Sequence, residues 1–158
     1  MIVVSDTSPI TNLIQISRLE LLRDLFEEII IPPLVFQELS KTDNQKEIIE
    51  NAGWIKIKEV VDKKLAKQLL NKIDAGEAEA IALAIELKAE YLLIDELKGR
   101  SVAKEYGIQI TGVLGTLLKA KEKGFLSEVK IEMDKLIYAA NFRIHPNLYH
   151  AILELAGE

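Results

Sequence analysis

Two short, almost wholly apolar runs, Ile2-Val3-Val4-Ser5 and Tyr91-Leu92-Leu93-Ile94, each stop at an aspartate, Asp6 and Asp95. Set among segments with helical spacing, such runs read as strands buried on both faces, the pattern of an α/β domain with a parallel sheet. Residues 28–31 read as a further strand, stopped by Pro32-Pro33, and residues 108–110 as a last short one. Alternation with period two over residues 54–58 marks an edge strand. Between them, apolar side chains recur at helical spacing over residues 11–26, in two helices broken near Ser17, and over 33–40, 45–52, 62–71, 74–88, 96–106, 112–123, 127–140 and 146–156. Ser8, directly before Pro9, suits the cap of the first helix. No linker, repeat or low-complexity run divides the chain, so one domain over residues 1–158 is expected.

In an open parallel sheet, ligands bind outside the carboxyl ends of the strands. Asp6 and Asp95 both belong at that end. An Asp there often just opens a turn or caps a helix, but Ser8 already suits the cap after Asp6. Glu38 adds independent weight. On the helix that begins near Pro33, Leu34, Val35 and Leu39 span an arc of about 140°, and Glu38 falls about 40° from Leu34, inside that arc. A carboxylate on a buried stripe is costly unless it is paired or bound to a cation. Further along, Asp74 and Glu77 have capping-box spacing, which gives Glu77 a structural task. Glu79 has no such task beyond the favourable dipole end of its helix. The helix behind it is apolar all round through residues 80–85, so Glu79 is either held by that dipole alone or a ligand aimed into a site.

Four carboxylates on four separate segments repel one another unless a cation screens them. The chain has no cysteine and only His145 and His150, read as turn and helix-surface residues. Disulfide scaffolds, thiolate zinc sites, cysteine nucleophiles and three-histidine metal sites are therefore excluded. An all-oxygen donor set favours Mg²⁺ or Mn²⁺, and such ions activate water and stabilise the attacking and leaving oxygens of a phosphodiester. The glycines form no nucleotide-binding loop. Arg100 and Arg143 are candidate phosphate contacts. A net charge of −5 argues against a basic clamp for nucleic acid. Setting aside Asp6, Glu38, Glu79, Asp95 and Glu96, however, leaves 20 acids against 20 Lys and Arg, so the excess describes a local cluster. No secretory signal or membrane-length apolar stretch is visible, and a cytoplasmic protein is expected.

Taken in order, several motifs resemble the PIN-domain family, and more narrowly its stand-alone prokaryotic members. They are Asp6-Thr-Ser-Pro, Pro-Pro-Leu-Val-Phe-Gln-Glu38, Gly76-Glu-Ala-Glu79-Ala-Ile-Ala-Leu-Ala, Asp95-Glu96-Leu97-Lys98-Gly99-Arg100, Gly112-Val-Leu-Gly115 and Asn-Phe-Arg143-Ile-His-Pro146. The resemblance implies a three-layer α/β/α sandwich with a central parallel sheet of four or five short strands. It implies a Mg²⁺- or Mn²⁺-dependent nuclease acting on single-stranded RNA, in some members the toxin of a toxin–antitoxin pair. Asp6, Glu38, Glu79 and Asp95 match the family's four acids, with Glu96 as an additional metal ligand. Thr7 and Ser8 match hydroxyl positions that hold water or phosphate. An antitoxin protein and a second copy of the chain are the partners the resemblance implies. Two departures stand out: the third acid is Glu where toxin-type members carry Asp, and Leu-Leu-Ile replaces the usual hydroxyl residue before the fourth. They leave open a second reading, a catalytically weak or inactive binding module.

Overall fold

A computed structural model describes all 158 residues. The chain runs β1 (Val3–Ser5), α1 (Thr7–Gln15), α2 (Glu20–Phe26), β2 (Ile29–Ile31), α3 (Pro33–Leu39), α4 (Asp43–Asn51), β3 (Ile55–Ile57), α5 (Lys63–Leu69), α6 (Ala75–Leu87), β4 (Tyr91–Leu93), α7 (Leu97–Glu105), β5 (Ile110–Thr111), α8 (Val113–Glu122), α9 (Val129–Ala139) and α10 (Pro146–Ala156). The five strands lie in the order β3-β2-β1-β4-β5, and every neighbouring pair is parallel.

Because side chains alternate across a strand, each central strand feeds two cores. Val3 and Leu93 enter one together with side chains of α1, α2, α8, α9 and α10. Val4, Leu92 and Ile94 enter the other, built on α5, α6 and α7. The expected three-layer α/β/α sandwich is therefore the observed one. Its sheet order reverses direction at the β1–β4 pair, so the crevice of an open α/β sheet lies beyond Ser5 and Leu93.

Two local expectations are corrected. Ser8 does not cap the first helix: α1 begins at Thr7 with Asp6 at the N-cap position, and Pro9 sits inside the first turn, where its missing N–H costs nothing. The last strand is Ile110–Thr111 rather than residues 108–110, because the Ile108 N–H is taken by Ala103 O in the turn that ends α7. The break near Ser17 is real, with that residue at φ 59°. No helix is long and apolar enough to cross a membrane.

Candidate active site

At the end of β1, the Asp6 N–H donates to Leu93 O at 2.9 Å, which extends the β1–β4 ladder by one rung. The Asp6 carboxylate makes no capping bond to α1 and is only 4% exposed. None of the chain's ion pairs includes it. Burial pushes its pKa up to about 7 against the opposing Thr7 amide, and the charges of Asp74, Glu38 and Asp95 push the same way.

Glu38 reaches the cluster from the last turn of α3. Its Oε2 accepts from Thr7 Oγ1 at 2.6 Å, and its Oε1 lies where a Cβ on Gly76 would stand, 2.5 Å away. A side chain at 76 would therefore displace the carboxylate. The helix-phase argument is thus correct in placing Glu38 inward, and Thr7 serves as an orienting donor beside the first acid.

Asp95 follows β4 by two residues. Its Oδ1 accepts from the Val113 N–H, the first of α8, at 2.9 Å, while its buried Oδ2 has no partner. Burial raises its pKa, opposed by the Val113 N–H and the Arg100 charge. Arg100 stays close because its Nη1 donates to Ile94 O at 3.0 Å. Gly112 makes room for both side chains: a Cβ there would strike Asp95 Oδ1 and lie 2.8 Å from Arg100 Nη1.

The two glutamates at the start of α6 have different surroundings. Glu77 does complete a capping box, accepting from the Asp74 N–H at 3.4 Å while Asp74 accepts from the Glu77 N–H at 2.8 Å. Only Oε1 is used in this way. Oε2 is buried without a partner and packs against Gly99, where any Cβ would collide with it. Glu77 is 6% exposed. Its pKa is pushed up to about 8 by burial and by the hydrogen bond and charge of Asp74, with Asp6 adding to it. Glu79, in contrast, accepts from the Leu34 N–H at 3.2 Å, at the start of α3. The charges that act on Asp6 include those of Asp74, Glu38 and Asp95, and Asp6 in turn acts on Glu77. The capping box expected of Asp74 and Glu77 is present, and the sequence carries no signal for the second, unpartnered oxygen of Glu77.

The other expected contacts lie around Asp95. Glu96 is exposed at the N-cap of α7 without capping it. Ser8, Asn12, Glu96, Asn141 and Arg143 line a cavity of about 450 Å³ on one side of Asp95. Arg100 and Arg143 border a second, adjoining cavity that Asp95 also lines. His145 caps α10 through Nδ1, 3.1 Å from the Asn147 N–H, and His150 is exposed, as expected of both.

No group of three or more His, Asp or Glu side chains stands at metal-ligand spacing. The donor chemistry nevertheless suits a hard divalent cation. Asp6 is buried among carboxylates, and Asp95 Oδ2 and Glu77 Oε2 are acid oxygens without hydrogen-bond partners. Mg²⁺ in particular is held through one or two carboxylates and keeps several waters. No curated protein and no solved structure matched the sequence. Residues 2–158 match the PIN-domain family. Together with the parallel sheet and the acids at its β1–β4 crevice, that match shows that the chain belongs to the PIN-domain family.

Proposed function

We propose that this chain is a divalent-metal-dependent ribonuclease that hydrolyses phosphodiester bonds of single-stranded RNA. PIN domains are generally nucleases and typically use divalent metal ions. The observation that carries the reading here is the convergence of Asp6, Glu38, Glu77 and Asp95, from four separate segments, at the crevice with no cation paired to Asp6. Asp6 and Asp95 are the principal residues to hold the ion, with Glu38 beside them. When bound, it supplies water activation and charge stabilisation at the phosphate. Thr7 fixes the rotamer of Glu38, and the Val113 amide fixes Asp95 so that Oδ2 is left available. Arg100 supplies a guanidinium to a phosphate arriving beside Asp95.

The test is cleavage of labelled single-stranded RNA with Mn²⁺, with and without chelator. Wild type is expected to cut only with metal, and Asp6→Asn to be inactive. Cleavage by Asp6→Asn equal to wild type would sink the reading. A second reading, a PIN-fold binding module without turnover, is favoured by the absence of three acids already at ligand spacing. Its signature is Mn²⁺-dependent thermal stabilisation without cleavage. A toxin role is a further step: expression of the chain alone should then arrest growth, Asp6→Asn should not, and an antitoxin partner should relieve the arrest.

A further inference from the structure

We propose that the cleft beside Asp95 walled by α8 and α10 is a nucleotide subsite that takes one base of the RNA and places its phosphate against Arg143 and Arg100. The proposal rests on the ribonuclease reading and adds where a flanking residue of the substrate binds. The cavity measures about 510 Å³, within the roughly 300–1,000 Å³ of small-molecule sites. Asp95 and Arg100 stand at one end, and Phe142, Leu148 and Ile152 form an apolar wall.

Three observations point to a ligand of this chemistry. Leu97 is 83% exposed and Leu148 46% exposed, so two large apolar side chains at this cleft gain little from folding. Phe142 is an aromatic side chain of the kind on which unpaired bases stack. Arg143 has no ion-pair partner, and Arg100, whose charge acts on Asp95, stands outside ion-pair distance of any carboxylate. Arg100 has one intramolecular hydrogen bond, to Ile94 O, which leaves most of its five donors free. An apolar bay flanked by unpaired guanidiniums is complementary to a base joined to a phosphate. It opens directly beside Asp95, one of the carboxylates assigned to the metal, so the bound residue would be adjacent to the scissile bond.

Binding of small probes tests the subsite without any turnover. Saturation-transfer NMR with chelator present would compare adenosine and uridine 5′-monophosphates with the free nucleosides and with ribose 5-phosphate. The nucleotides should bind best. Arg143→Ala should weaken nucleotides about tenfold, the worth of one charge-assisted contact, and leave nucleosides unchanged. Leu148→Trp, at a half-exposed position where folding is checked by melting temperature, should block both. Should that variant not fold, Leu148→Asp replaces it and should likewise repel the nucleotides. Equal nucleotide binding by a folded Leu148 variant and wild type overturns the subsite, as does wild type that binds no probe. RNA cleavage that survives those outcomes leaves the ribonuclease reading standing. Nucleotide binding at this cleft without any RNA cleavage refutes that reading and keeps the subsite.

Discussion

Asp6 and Glu132 are both almost fully buried carboxylates, 4% and 1% exposed, yet their surroundings are opposite. Glu132, on α9, receives Arg18 Nε at 3.0 Å and Nη2 at 2.9 Å on one oxygen, and Lys135 at 3.4 Å. Two cations offset its desolvation at Oε1, although Oε2 has no partner, and Arg18 ties α9 to the α1–α2 turn. Asp6 has carboxylates for neighbours instead. A buried charge with its counter-ions in the chain belongs to the architecture, whereas one whose neighbours share its sign calls for a counter-ion from solution.

Asp6→Asn bears hardest on this contrast. It should reduce Mn²⁺-dependent RNA cleavage by more than about 100-fold, beyond the loss typical of an outer partner of a metal ligand. In metal-free protein above pH 7, where the wild-type carboxyl is ionised, it should raise the melting temperature, because a desolvated and repelled charge is removed. A lowered melting temperature would place Asp6 with Glu132 and erase the distinction. Arg18→Ala is the counterpart. It strands a buried carboxylate and should cost about 2 kcal/mol, less than full burial would give because Arg18 is half-exposed. That is a fall of roughly 4–8 °C for a chain of this size, read by calorimetry, with cleavage at 25 °C intact.

Proton linkage separates the two regions further. The folded-state pKa values of Asp6 and Glu77 are raised, to about 7 and about 8. Their contribution to stability is therefore fully present below the unfolded carboxylate pKa and is lost as pH rises through 7 and 8. Metal-free protein should melt at progressively lower temperature between pH 5 and 9, and saturating Mn²⁺ should flatten that slope. A metal-free melting temperature flat over this range would contradict the assigned burial of the acids. The smallest effect is expected at Glu79. Glu79→Gln keeps an acceptor for the Leu34 amide and should change cleavage less than about threefold, while Glu77→Gln should lower it about tenfold. The reverse ranking would restore Glu79 as the ligand.

These glutamates also mark the limit of what the sequence discloses. Strand-end positions reveal Asp6 and Asp95 because short apolar runs are visible without tertiary information. Glu38 is visible because its helix has a polar face to compare against. Helix α6 has no polar face over residues 80–85, so nothing local says which side of it faces the crevice, and residues 77 and 79 lie about 200° apart around it. What distinguishes their surroundings is the position of Leu34 and Gly99, 45 and 22 residues away from their respective partners. The capping box is legible in the sequence and present in the fold, but it accounts for only one oxygen of Glu77. The sheet and nearly all helix positions follow from periodicity. The start of α1 and the place of β5 depended instead on single backbone bonds.

The rung between the Asp6 N–H and Leu93 O has a mechanical consequence. Neighbouring parallel strands keep a separation of roughly 4.8 Å, and this bond carries that spacing up to the residue bearing the first acid. Asp6 and Asp95 are therefore mounted on a ruler that the sheet holds fixed, whereas Glu38 and Glu77 ride on helices that can slide or turn by fractions of an ångström. Any adjustment to a larger or smaller ion falls on the helix-borne pair. Substitutions at Gly76 and Gly99, which set how closely those two glutamates approach, are where metal preference would be retuned without touching a ligand.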